Sequence, residues 1–462
     1  MGERPGHRPV RHRRQGRSAG RHRRPAARGR RGGRRARAPS SAVGPGGARG
    51  SRSTRRRRVD DARDAGLLSP VPSLIAGAGA AVVGALLIGR LRRPPRRSVA
   101  DDAPADEGIT RRGVLALSGV AVMAGALAAF GSVALSGGAR AISAVRAALR
   151  LPTPATTTTV PDAAELGIDG LSPVITPSAD FYRIDTALVV PQVDPATWTL
   201  RVHGLVEQEV VLRWDDLVAL PQKETVATLV CVSNEVGGSL IGTARWLGVP
   251  IRDILSRAKP TAEADMVLSR SVDGFTASSP LEALTDDRDA LLAIGMNGEP
   301  LPIEHGFPAR LVVPGLYGYV SATKWVSELE VTRFNRAEGY WTPRGWSERG
   351  PVKLQSRIDV PRAGARVEPG STVIAGVAWH NHVGVAGVEV QIDDGPWQRA
   401  TLATAISADT WVQWSLPWEA TSGLHTARCR AISVDGSTQT SDVAPPAPDG
   451  ATGWDEATIS VA

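Results

Sequence analysis

The chain has 462 residues and a formal net charge of +9, unevenly divided: residues 1–150 hold 32 arginines, no lysine and 8 acidic groups, and the remainder holds 23 basic and 38 acidic ones. The length allows two or three domains, and the basic character belongs to the N-terminal third, not to the folded part. Two cysteines far apart exclude a disulfide framework, a four-cysteine zinc site and an iron–sulfur cluster, and the lack of a CxxCH motif argues against covalent haem.

Residues 1–64 are mostly Arg, Gly, Ala, Pro and Ser, without Leu, Ile, Phe, Tyr, Trp, Asn or Lys. Such a segment cannot bury a core and is expected to be disordered. A nucleic-acid- or lipid-binding arm and a solvated tail compete with a third reading, which the composition favours: a misread start of a GC-rich gene. Val71–Gly89 and Val114–Ser136 are apolar runs long enough to span a bilayer, joined by a loop containing RLRRPPRR. The positive-inside rule puts that loop in the cytoplasm and everything after about residue 140 outside it. The rule then sets the Arg-rich arm on the outer side, which adds weight to the misread start. Thr110–Leu115, TRRGVL, is similar to a twin-arginine export signal ahead of an uncleaved anchor. The expected organisation is a disordered segment at 1–64, two transmembrane helices within 70–140 and a linker at 141–164.

Strand-like and helical runs then alternate over 165–350, which predicts a mixed α+β domain. Strands are expected at Trp198–Val202, Ala227–Val232, Met266–Ser269 and Arg310–Val313, and helices at Trp214–Ala219 and Ile251–Ala258. Over 351–462 short strands bounded by turns, such as Val373–Trp379 and Val385–Ile392, predict a β-sandwich of immunoglobulin-like architecture. Cys429 falls on one of these strands and reads as core.

Cys231 is different, because it ends an apolar run and precedes a polar turn in ATLVCVSNEVGG. A thiolate suits a soft or covalent metal centre, and one cysteine suffices when a cofactor supplies the other ligands. By itself a lone cysteine is more often a small buried apolar residue. The surrounding segments decide between the two. DFYRID at Asp180–Asp185, LVCVSN at Leu229–Asn234, GTARWLG at Gly242–Gly248, LLAIGMNG at Leu291–Gly298, LPIEHGFPARLVV at Leu301–Val313, PGLYG at Pro314–Gly318 and SATKW at Ser321–Trp325 occur in that order. Together they resemble the sulfite oxidase family of molybdenum-cofactor oxidoreductases, in its bacterial membrane-anchored branch, over about residues 165–460.

The resemblance implies a molybdenum–pyranopterin cofactor with Cys231 as the metal ligand. It places Tyr182, Arg183, His305, Arg310, Ser321, Ala322 and Lys324 at the cofactor. Arg310 suits the phosphate through its forked donors, and Lys324 with the backbone N–H groups of Ser321 and Ala322 suits an anion nest. Arg245 either bridges domains or approaches the cofactor, and Ser271 is a further cofactor candidate. Asn234 and Tyr317 are the expected catalytic or substrate-side groups. The family's homologous C-terminal domain implies a homodimer.

The chain departs from sulfite oxidases proper. Glu235 and Val236 stand where those enzymes carry arginines, and Ile294 and Gly295 stand where they have LLAYEMNG-like Tyr and Glu. These departures fit better the branch that includes periplasmic methionine sulfoxide reductase, although His305 stands where that subunit tends to have Asn. The expected function is two-electron oxygen-atom transfer on a small substrate other than sulfite. Electrons would pass to or from a separate haem or quinone-linked partner, with no role for nucleic acid. The rival enzymatic reading is sulfite oxidation, and the rival of another class is a non-catalytic extracellular binding module.

Overall fold

The computed structural model describes residues 138–462. The Arg-rich segment and both expected membrane spans lie outside the described residues. Among the described residues no helix is long and apolar enough to cross a membrane.

Two sheets carry the N-terminal part. The first orders Thr156–Thr157, Lys223–Val230, Ile241–Pro250, Leu291–Met296 and Arg310–Val312, with Glu299–Pro300 on an edge. The second orders Val210–Arg213, Thr199–Gly204, Val326–Thr332, Met266–Ser271 and Thr276–Pro280. Its one parallel pairing joins Thr199–Gly204 to Val326–Thr332, so the sheet is mixed.

The first sheet is buried on both faces. Leu292 and Ile294 join one core with Leu200, Val202, Leu329 and Val331 of the second sheet. Leu291 and Ala293, one residue out of phase, join another with Leu229, Trp246, Phe181 and Phe307. This is why Leu291–Met296 reads as a continuous apolar run and not as an alternation. The helix Ile251–Ala258 buries Ile251, Ile254, Leu255 and Ala258, the spacing of one helical face.

The stretch expected to be a free linker is docked instead. Residues 138–148 are helical. Ile142 is buried in the Phe181 core, and the Arg146 guanidinium donates to the carbonyls of Pro300 and Leu301. Thr156–Thr157 then pairs parallel with Lys223–Glu224. The threonines of ATTTTV therefore add an edge strand, which β-branched residues favour.

Residues 355–461 fold into two sheets. One orders Gln355–Val360, Gly370–Trp379, Val412–Ala420 and Thr401–Leu402; the other orders Arg366–Val367, Asp455–Val461, Gly423–Ser433, Val385–Ile392 and Gln398–Arg399. Their inner faces meet in one core that includes Ile374, Trp414, Val390, Cys429 and Ile459, the arrangement of a sandwich. Cys429 is fully buried there.

This sandwich touches the strand that leads to Cys231. Asn381 Nδ2 donates to the Thr228 carbonyl at 2.8 Å, the Thr228 N–H donates to the Asp409 carbonyl at 2.9 Å, and the Trp411 N–H donates to Thr228 Oγ1 at 2.8 Å.

Candidate active site

Cys231 follows directly on the strand Lys223–Val230. Its N–H donates to the Leu240 carbonyl and its own carbonyl accepts the Asn234 N–H. Asn234 Oδ1 accepts the Leu240 N–H at 2.8 Å, and Arg357 Nη1 from the sandwich donates to the Gly238 carbonyl at 2.7 Å. The turn is thus held from both ends, and the thiol opens on a cavity whose walls include Tyr182, Ser271, Arg310, Ala322 and Lys324. Burial pushes the thiol's pKa up. A thiolate there needs a cation to form.

The HGFPAR run shapes the basic side of the cavity. Gly306 has φ +111°, and a Cβ on it would press on Arg310 and Lys324. Glycine therefore permits the tight turn that brings His305, Arg310 and Lys324 together. Gly242 plays a similar part on the neighbouring strand, where a Cβ would collide with the Phe181 ring. Phe181 stacks on Tyr182 with centroids 5.3 Å apart and meets His305 edge-on at 5.7 Å.

The electrostatics of this side are unbalanced. Arg310 is 3% exposed. Its guanidinium donates only to backbone carbonyls, those of Leu311, His305 and Ala322. No carboxylate of the described residues pairs with it. Burial lowers its pKa to about 10. Lys324 is pushed down to about 8 by burial and by the Arg310 charge, against the pull of Asp185. Its Nζ donates to Asp185 Oδ2 and to the Glu304 carbonyl. Burial alone would raise Asp185, but Arg183 and Lys324 outweigh it and hold the carboxyl below the usual range. His305 is lowered to about 3 by burial and by the charges of Arg310 and Lys324, so it is neutral. Its buried Nδ1 has no hydrogen-bond partner among the described residues. The half-buried Asp185 carboxylate is already shared by Arg183 and Lys324, Arg310 has none, and a buried imidazole nitrogen is unsatisfied. Such a set calls for an anion that also offers hydrogen-bonding edges. A pyranopterin, with its phosphate and polar ring, fits that set.

The remaining sequence candidates fall elsewhere. His305 and Arg183 line a neighbouring recess that shares Phe181 with the main cavity. Ser321 is fully buried, with its hydroxyl donating to the Leu316 and Tyr317 carbonyls. The Ala322 N–H is spent on the Gly318 carbonyl. The expected nest therefore loses the Ala322 N–H to helix closure, and Ser321 does not reach the cavity wall. Arg245 binds the Thr158 carbonyl and Glu224, tying the docked N-terminal segment to its neighbouring strand. Asn234 holds its own turn. Tyr317 is buried among Val230, Val232, Trp379 and Trp411, and its hydroxyl accepts the Lys353 N–H. Neither lines the cavity.

Two departures from the sulfite oxidase pattern are also relocated. Glu235 is exposed and outside the cavity wall, and Ile294 lies in the core between the sheets. Neither position lines the cavity. Sequence reading missed the opposite wall, made by Phe275, Tyr319, Trp341 and Trp346. The signal was the aromatic loop YWTPRGW at Tyr340–Trp346, whose Pro and Gly mark a turn that has no core of its own.

Comparison with known proteins agrees with this geometry. The family model described as oxidoreductase molybdopterin binding domain matches residues 187–341. Mouse mitochondrial sulfite oxidase is 34% identical over 271 residues, which cover 49% of each chain. Chicken sulfite oxidase is 30% identical, covering 59% of this chain and 69% of that one. The uncharacterized oxidoreductase YuiH of Bacillus subtilis is 37% identical, covering 34% of this chain and 76% of that one. The chain thus spans about half the length of the mammalian relatives it matches. The crystal structure of the sulfane dehydrogenase SoxCD from Paracoccus pantotrophus superposes with a TM-score of 0.52 at 23% identity, covering 62% of this chain and 82% of that one, a likeness of fold. With the cysteine and the buried arginine of the HGFPAR turn gathered on one cavity, this chain belongs to the sulfite oxidase family of molybdopterin-dependent oxidoreductases.

Proposed function

We propose that the protein catalyses two-electron oxygen-atom transfer to or from a small substrate other than sulfite, with Cys231 as the protein ligand of a molybdenum–pyranopterin. The observation that carries this reading is the buried Cys231 thiol opening on the same cavity as the fully buried, carboxylate-free Arg310 guanidinium. When bound, the cofactor supplies the redox chemistry, with molybdenum cycling between oxidation states VI and IV.

The chain's own residues bind and orient. Cys231 gives up its thiol proton to become a ligand, and the backbone bonds of its turn fix where the sulfur points. Arg310 would hold the phosphate through its forked donors, Lys324 would add a second charge, and the free Nδ1 of His305 would serve a polar edge of the cofactor. Tyr182 and Phe181 close the cavity beside them and exclude water. Residues 165–350 are the cofactor domain and 351–462 the immunoglobulin-like sandwich, through which the protein dimerises. The apolar runs before residue 138 anchor it in the cell membrane with the catalytic part on the extracytoplasmic side, and a separate haem or quinone-linked partner exchanges its electrons.

The test is molybdenum content by mass spectrometry of protein made in a host that synthesises the cofactor, beside Cys231→Ser. About one metal per chain in the parent and an altered or lost Mo(V) resonance in the variant support the reading. A folded parent without metal sinks it. Sulfite oxidation is the second reading, favoured by the 30–34% identity to sulfite oxidases; turnover with sulfite and ferricyanide decides it.

A further inference from the structure

The cavity is lined by two unlike sets of residues. Arg310 and Lys324 are its cations, and the cofactor reading above, on which this inference rests, already uses both. The charged residue left on the lining besides Asp185 is another acid, Asp273. Its Oδ1 accepts the Phe275 N–H, so the carboxyl is held in place by its own turn. The same lining includes Val232, Phe275, Tyr319, Trp341 and Trp346, with small polar groups such as Ser233 and Thr186 between them. Among the described residues, no further cation lines the cavity. A small oxyanion such as sulfite needs positive charge to shed its water. This wall offers aromatic and apolar surface and a carboxyl group instead.

The wall is also built as a unit. Tyr319 packs on Trp346 with centroids 5.9 Å apart, Trp346 on Trp341 at 6.2 Å, and Trp341 on Tyr340 at 5.2 Å. The Tyr319 hydroxyl donates to the Ser347 carbonyl at 2.7 Å, which pins the loop that carries both tryptophans. Arg344 covers the face of Tyr340 at 3.7 Å, so that ring is closed to a ligand and supports the others. Large rings packed on one another in fixed positions make a selective surface at low entropic cost.

We propose that Tyr319, Trp341 and Trp346 form the substrate-selecting wall, and that the substrate is a neutral organic molecule whose oxygen-bearing atom carries an apolar group. The probe is methyl phenyl sulfoxide, offered to the molybdenum-loaded full chain with reduced methyl viologen. In that assay the S–O bond breaks, two electrons come from two viologen radicals, and the oxygen leaves as water with two protons from solvent. Binding is read separately by calorimetry. The parent is expected to prefer this probe to sulfite in kcat/KM. The Trp341→Ala/Trp346→Ala double variant is expected to weaken probe binding about tenfold, roughly the worth of two aromatic contacts, through KM more than kcat. Trp341→Phe, which keeps a ring, should retain most of the binding and controls for a misfolded loop. A double variant that binds the probe as the parent does overturns this proposal alone, and a metal-loaded parent that prefers sulfite overturns it together with the exclusion of sulfite above while leaving the cofactor reading standing. A folded parent without molybdenum overturns the cofactor reading and this proposal with it.

Discussion

At Arg310 a buried guanidinium makes three bonds to carbonyl oxygens and none to a carboxylate of the described residues. Those carbonyls satisfy its N–H groups but do not neutralise its charge. The protein without cofactor therefore carries an uncompensated buried cation, and the loaded protein does not. Arg310→Met separates the two states by sign. Without cofactor the variant should be more stable than the parent by about 1–3 kcal/mol, because an apolar chain replaces an unpaired charge. Cofactor retention should fall by tenfold or more, the loss of charge-assisted bonds to a phosphate. Thermal melts of cofactor-free protein and molybdenum content check the two halves, and a variant less stable than the parent in the cofactor-free state would refute the account of this site. Arg310→Lys keeps the charge but not the fork, so it should recover only part of the metal content.

At the scale of elements, the strand Lys223–Val230 does two jobs. It is an inner member of the first sheet, paired with Ile241–Pro250 and with Thr156–Thr157, and it delivers Cys231 to the cavity. Its exposed-side neighbour is the sandwich, through Asn381, Asp409 and Trp411. Asn381 is 3% exposed. Asn381→Ala leaves the Thr228 carbonyl without that donor and should cost about 1–3 kcal/mol in denaturant unfolding. Asn381→Asp should cost at least as much, since it brings a second acceptor to a carbonyl. Loss of stability in neither would mean that the sandwich does not brace this strand. Much of this architecture was legible beforehand. The helix Ile251–Ala258 and the strand Val385–Ile392 have the bounds their patterns predict, because one has a clear helical face and the other is bounded by turns. GTARWLG was legible as a motif but not as part of the strand Ile241–Pro250, since glycines, Thr and Arg mask its apolar content. Of the site, Cys231, Tyr182, Ser271, Arg310, Ala322 and Lys324 converge on one cavity. Trp341 and Trp346 were missed because their role depends on where a loop folds back, which no local period encodes. Tyr317 and Asn234 were misplaced for the converse reason: chain proximity to a motif does not set the direction of a side chain.

For the described part of the molecule as a whole, a titratable cluster sits where the sandwich meets the cofactor-binding part, beside the Asn381 contact. His382 Nδ1 lies 3.1 Å from Asp409 Oδ1, and Asp409 is the residue whose carbonyl receives the Thr228 N–H. The loop at 286–288 faces the same imidazole. Asp286 and Asp287 bring carboxylate oxygens close to it, while Arg288 grips Asp286 and the Pro314 carbonyl. The bond to Asp409 raises the His382 pKa, burial and Arg288 oppose the rise, and Asp286 assists it. A histidine whose folded value stands above its unfolded one adds stability that is fully present below the unfolded value of about 6.5. That stability fades as the pH climbs through the folded value. The exposure of the pair keeps its worth small, so the readout is a difference between proteins. The melting temperature of the parent should exceed that of His382→Gln most clearly near pH 5.5. The gap should narrow as the pH is raised towards about 8.5 and the parent imidazole loses its proton. A gap of constant size across that range would mean that His382 acts by packing against Gly315 and not by charge, and that the two parts of the molecule are joined without a proton-dependent contact at this corner.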